Sequence, residues 1–172
     1  MKFTLGGFWS ILLLFWFGGC AAPPPQQETL RADRVVVDKS ERRLRLLYRG
    51  KVVREYPIAL GDAPIGHKVR EGDERTPEGH YVLDWRNPHS RFYKSIHVSY
   101  PNAQDRARAR ALGVNPGGMI MIHGKPNYIS SKRVLAEYDR RDWTDGCIAV
   151  NNEQMDEIWN AVRDGTPIDI FP

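Results

Sequence analysis

Along most of the chain the apolar positions fall in short β-branched or alternating runs, and a helical period is rare. RVVVDKS (34–40) and LRLLYRGKVVREYPIAL (44–60) read as two or three strands of a meander that turns at Arg49-Gly50. YVLDW (81–85), SIHVSY (95–100), GMIMIHG (118–124), CIAV (147–150) and PIDIF (167–171) supply further strands. Between them, residues 61–80 carry Gly61, Gly66, Gly72, Gly79, Pro64 and Pro77, a density of turn formers that predicts a long loop. A helical stripe recurs after residue 150, where Met155, Ile158, Trp159 and Val162 share one face. Asn151 and Gln154 have capping-box spacing at its start, and Gly165 is a natural stop. SSKRVLAEYDRR (130–141) is a weaker second helix. The pattern predicts one mostly β (α+β) domain, residues 33–172, with one or two short helices.

The N-terminus follows a different pattern. Lys2 precedes FWSILLLFWF (8–17), an apolar run too short to cross a bilayer but suited to a signal-peptide core. It ends in Gly18-Gly19-Cys20, which resembles the lipobox of bacterial lipoproteins, although Phe17 stands where leucine is usual. That resemblance implies a signal peptide over 1–19, lipidation of Cys20, and a Pro/Gln tether (AAPPPQQE and onward) over 20–32. Ala21, with no Asp at that position, implies sorting to the outer membrane of a Gram-negative bacterium, so the expected location is periplasmic and lipid-anchored.

Composition narrows the function classes. The chain holds 25 basic and 21 acidic residues, a net charge of +4 that becomes +3 (24 minus 21) once Lys2 is removed with residues 1–19. The basic residues are scattered and accompany no nucleic-acid motif, so no nucleic-acid partner is expected. Cys20 and Cys147 are the two cysteines. A lipidated Cys20 has no thiol to share, which leaves Cys147 unpaired in an oxidising compartment.

IMIHG and WTDGC each set a glycine beside a reactive side chain at the edge of a strand. A cysteine attacks as thiolate, and its ordinary pKa of about 8.5 leaves only a few per cent ionised at neutrality. An imidazole such as His123 can take that proton and return it to a leaving amine. Gly146 permits close approach of a carbonyl to backbone N–H groups. On these residues alone, a buried core thiol is an equal reading of Cys147, and a satisfied core histidine is the usual fate of a residue placed like His123. His67, His80, His89 and His97 have neither HExxH nor CxxC company, so no metal and no other cofactor is expected.

TPEG (76–79), SYPN (99–102), IHG (122–124) and WTDGCIAV (143–150) together resemble the ordered motifs of the L,D-transpeptidase catalytic domain, the YkuD-type fold of bacterial cell-wall enzymes. The resemblance spans about Arg34 to Phe171 and implies a β-sandwich or barrel-type fold. It implies that Cys147 is the nucleophile and His123 its general base and acid, oriented by the backbone carbonyl of Gly124. The amides of Gly146 and Cys147 would line the oxyanion site, and Thr144 would buttress the loop.

The implied substrate is a peptidoglycan stem tetrapeptide, which loses D-alanine as Cys147 forms a thioester. The acceptor would be another stem (a 3→3 cross-link), a wall-attached lipoprotein, a free D-amino acid or water. An L,D-carboxypeptidase or hydrolase, and a catalytically silent wall-binding module, are the alternatives. Two positions depart from many relatives: Asp145 replaces a histidine and Ala149 an arginine or asparagine, which bears on specificity. The long His-to-Cys interval implies that 125–142 forms a substrate wall, lined by Tyr128, Arg140 and Trp143 with Asp145 close by.

Overall fold

A computed structural model describes residues 30–172, so the expected signal peptide, Cys20 and most of the tether lie outside the described residues. The first three described residues belong to the domain rather than to a tether. Leu30 packs on the core, Ala32 is buried, and the Ala32 N–H donates to the Ala161 carbonyl (2.9 Å).

The described residues form eight strands: β1 (Arg34–Asp38), β2 (Arg43–Tyr48), β3 (Lys51–Pro57), β4 (Gly79–Ser90), β5 (Tyr93–Val98), β6 (Met121–His123), β7 (Ile148–Ala149) and β8 (Thr166–Phe171). They make one sheet in the order β3-β2-β1-β8-β4-β5-β6-β7. Among the described strands, β1–β8 and β6–β7 are the parallel pairs. The β2–β3 hairpin turns through Arg49 (φ 51°) and Gly50 (φ 75°), the two left-handed residues of a type I′ turn.

The sheet curls until its ends meet. Beyond β3 the chain crosses to β7, where Ala59 and Ala149 exchange N–H···O bonds of 2.9 and 2.8 Å. Inside the curl, Val35, Val37, Leu44, Leu46, Leu83, Ile96, Ile122, Ile148 and Ile168 are fully buried.

The described residues also form three short helices: α1 (Ala103–Leu112), α2 (Lys132–Glu137) and α3 (Asn152–Ala161). In α3 the stripe residues Met155 and Ile158 are fully buried, each contributing about 1.5–3 kcal/mol of apolar transfer. The Asn151–Gln154 capping box is present. The helix ends at Ala161 with an extended Val162, and Gly165 (φ 92°) turns the chain into β8 instead of capping the helix.

The sequence pattern did not predict α1. Its buried residues are Asp105 and Ala109, so it has no apolar stripe to read. It is held by a capping box between Asn102 and Asp105, and Asp105 accepts a further bond from the Tyr81 hydroxyl (3.0 Å).

Candidate active site

β6 and β7 lie side by side in parallel, with Ile122 opposite Ile148 and His123 opposite Ala149. This register brings residues 24 positions apart in sequence to one edge of the curl. His123 and Cys147 line a single cavity of about 260 Å³ together with Phe92, Tyr128, Tyr138, Arg141, Trp143, Thr144 and Asp145.

His123 is buried, and its Nδ1 lies 2.7 Å from the Gly124 carbonyl oxygen. A carbonyl only accepts, so Nδ1 carries the proton and the Nε2 lone pair is available. The Gly124 N–H donates in turn to the Phe92 carbonyl (3.0 Å), and the Lys125 N–H donates to Asn152 Oδ1 at the start of α3 (2.9 Å). A Cβ at 124 would sit 2.9 Å from Tyr93 Cβ and 2.6 Å from that Asn152 oxygen, so the close packing on β5 favours glycine. Phe92 (4.7 Å between ring centroids) and Trp143 (5.5 Å) flank the imidazole. Burial in this apolar box pushes the His123 pKa down to about 4.

Cys147 is half-buried, and its thiol lies 3.6 Å from the Met119 carbonyl. Burial pushes the thiol up to about 11, the Met121 amide opposes this, and the Asp145 carboxylate adds to it. With the thiol pushed up and the imidazole pushed down, both groups at the cavity are neutral near pH 7. Reaction requires the proton to leave sulfur as the new bond forms, the task of a general base.

The turn that presents Cys147 is tightly bonded. Thr144 Oγ1 donates to the Cys147 carbonyl (2.8 Å) and accepts the Gly146 N–H (3.2 Å). From the other side, the buried Thr76 hydroxyl donates to the Gly146 carbonyl (2.9 Å). Gly146 has φ 113°, and a Cβ there would run into the Arg75 carbonyl oxygen, so conformation and space both demand glycine.

Several expected positions change. The Gly146 N–H is engaged by Thr144 Oγ1 rather than free for an oxyanion. Tyr128, Trp143, Thr144 and Asp145 line the cavity, whereas Arg140 lines a neighbouring groove with Arg42, Arg43 and Asp142, and Arg141 lines both. Asp142 is paired with Arg42 (2.8 Å) and Asp139 with Lys125 (2.6 Å), so the carboxylates nearest Arg141 in sequence are occupied. The sequence reading missed Phe92, Tyr138 and Arg141. Phe92, an aromatic residue close to a candidate strand, carried an available signal, whereas Tyr138 and Arg141 fall in the weaker helix 130–141 and are unmarked. Among the described residues no group of three His, Cys, Asp or Glu side chains could hold a metal ion.

Comparison with known proteins identifies the family and the fold. The family model for the YkuD L,D-transpeptidase catalytic domain matches residues 32–170. YafK of Escherichia coli (strain K12), named as a candidate L,D-transpeptidase, is 33% identical over 135 residues, covering 74% of this chain and 46% of YafK. The chain thus spans about half the length of this curated relative. The helical cell shape determining protein Pgp2 of Campylobacter jejuni (a K307A mutant) superposes with a TM-score of 0.59 at 30% identity, over 79% of this chain and 45% of Pgp2. An L,D-transpeptidase from Xylanimonas cellulosilytica has the same fold, with a TM-score of 0.54 at 17% identity over 87% of this chain and 65% of that one. The chain belongs to the L,D-transpeptidase (YkuD) catalytic-domain family.

Proposed function

We propose that this chain is a cysteine L,D-transpeptidase in which Cys147 attacks a peptidoglycan stem tetrapeptide and His123 moves the proton. The carrying observation is that both side chains line one cavity while Gly124 fixes the imidazole tautomer with Nε2 unprotonated. Cys147 Sγ attacks the carbonyl of the third stem residue as its proton passes to His123. The carbonyl electron pair collects on oxygen and then expels D-alanine, whose nitrogen takes the proton from His123. An incoming amine reverses the sequence and releases sulfur.

The Arg141 guanidinium supplies a point for a stem carboxylate, a bond type to which Arg is geometrically suited. It arrives from the 125–142 segment, whereas position 149 offers only a buried alanine. Transfer to a second stem, to a wall-attached lipoprotein or to a D-amino acid all fit this chemistry.

Water as acceptor is the second reading, an L,D-carboxypeptidase or hydrolase. It is favoured by the exposed Asp145 at the cavity and by α2, which has no buried residue to seal that side. The proposal includes a periplasmic chain tethered to the outer membrane through lipid on Cys20.

Incubation with diaminopimelate-type tetrapeptide muropeptides, followed by mass spectrometry, tests the proposal. Cross-linked dimers or D-amino-acid exchange products that vanish in Cys147→Ala are expected. Tripeptide alone would move the assignment to hydrolysis, and no Cys147-dependent product would leave a wall-binding module.

A further inference from the structure

Thr76 has no solvent exposure, yet it carries a hydroxyl, and a buried hydroxyl is costly without a partner. Its partner is the Gly146 carbonyl oxygen, to which it donates at 2.9 Å. That carbonyl is one half of the peptide unit whose other half is the Cys147 N–H. In a planar trans peptide the C=O and N–H point in opposite directions. Holding the carbonyl on a residue of the interior therefore aims the Cys147 N–H outward, on the side where the Cys147 side chain lines the cavity.

The neighbouring amide cannot share that task as it stands, because the Gly146 N–H is bonded to Thr144 Oγ1. A hydrogen bond received at the carbonyl also polarises the amide and strengthens its N–H as a donor. Thr76 is itself held firmly: its own carbonyl accepts from Lys39 Nζ (3.1 Å), which also reaches the Gly66 carbonyl and Glu78 (2.6 Å each).

We propose that Thr76 is a positioning residue for oxyanion stabilisation, setting the direction and polarity of the Cys147 N–H through the Gly146 carbonyl. This rests on the reading of Cys147 as an acyl-forming nucleophile. As Sγ bonds to a substrate carbonyl carbon, the C=O electron pair moves to oxygen, and the Cys147 N–H receives that oxyanion. When the C–N bond breaks, the pair returns to re-form C=O and the leaving nitrogen takes the proton that His123 drew from the thiol.

Two reagents separate positioning from mere structural support in the full chain. A carbapenem acylates sulfur through a tetrahedral oxyanion, whereas iodoacetamide alkylates it by displacement at a CH2 group with no oxyanion. In the isosteric Thr76→Val variant, acylation is expected to slow about 10- to 100-fold. Its alkylation rate and the pH profile of that rate should stay within about twofold of the unaltered chain, and Thr76→Ser should restore acylation to within about threefold. Unchanged acylation in Thr76→Val, or equal loss of acylation and alkylation, would overturn the inference. If the valine variant does not fold, the same ratio is read between Thr76→Ala and Thr76→Ser, and equal ratios there overturn it as well. An unaltered chain that alkylates but is never acylated would overturn the nucleophile reading, and this inference with it.

Discussion

Two segments frame the turn that presents Cys147, and they are built in opposite ways. The 61–78 loop is long and rich in glycine, yet its anchors are buried: Thr76 and Lys68 within it, and Lys39 beneath it. Lys68 pairs with Asp73 (2.8 Å), and Asp73 also accepts the N–H groups of Val69, Arg70 and Arg75. Across the site, the 125–142 segment carries an exposed Tyr128 and a six-residue helix with no buried residue. Its Lys125–Asp139 pair reaches the surface, with Asp139 55% exposed. One side fixes the backbone of the turn that carries Cys147, and the other presents exposed side chains at the cavity. Glycine content alone would have ranked their rigidity the wrong way round.

The largest effect is expected from Glu78→Ala. It strands the Lys39 ammonium, which is 2% exposed and paired with Glu78 at 2.6 Å. Breaking a buried pair on one side costs about 3–5 kcal/mol, measurable by urea unfolding. A loss under 1 kcal/mol would erase the contrast between the two segments.

Asp73→Asn comes next. Burial opposes ionisation there, but Lys68 and three backbone N–H groups outweigh it and hold the carboxyl at about 2. A depressed carboxyl pKa stabilises the fold above the unfolded value of about 3.8 and loses that contribution as pH falls towards 2. The asparagine variant should therefore be about 2 kcal/mol less stable at neutral pH, with the difference fading below about pH 4. A pH-independent difference would contradict the assignment.

Arg141→Ala should leave stability within about 0.5 kcal/mol while raising KM for tetrapeptide about tenfold, as for loss of one charge-assisted contact. The reverse pattern would make Arg141 structural. Lys125→Ala, at the surface pair, should cost less than about 1 kcal/mol.

What the sequence disclosed follows from what each residue needs. β1, β2 and β8 were legible because Val35, Val37, Leu44, Leu46, Ile168 and Ile170 must face one interior, which imposes a period of two. α3 was legible for the equivalent helical reason. α1 was hidden because it is held by Asn102 and a buried Asp105 rather than by an apolar face. His123 and Cys147 could be picked out by their glycines and the motifs around them, but only the parallel β6–β7 register puts them at one edge. Phe92, Tyr138 and Arg141 reach the cavity from a strand connection and an irregular segment, where no period marks which side chain faces inward. The Gly146 amide was nominated for an oxyanion because its bond to Thr144 exists only in three dimensions.

The central claim is that Cys147 carries an acyl group taken through His123. It is tested most directly by intact-protein mass after brief incubation with tetrapeptide and an acid quench. A Cys147 adduct equal to the substrate less D-alanine is expected, with its formation slowed about 100-fold or more in His123→Ala. An unmodified protein alongside product formation, or an adduct on any residue other than Cys147, would contradict it.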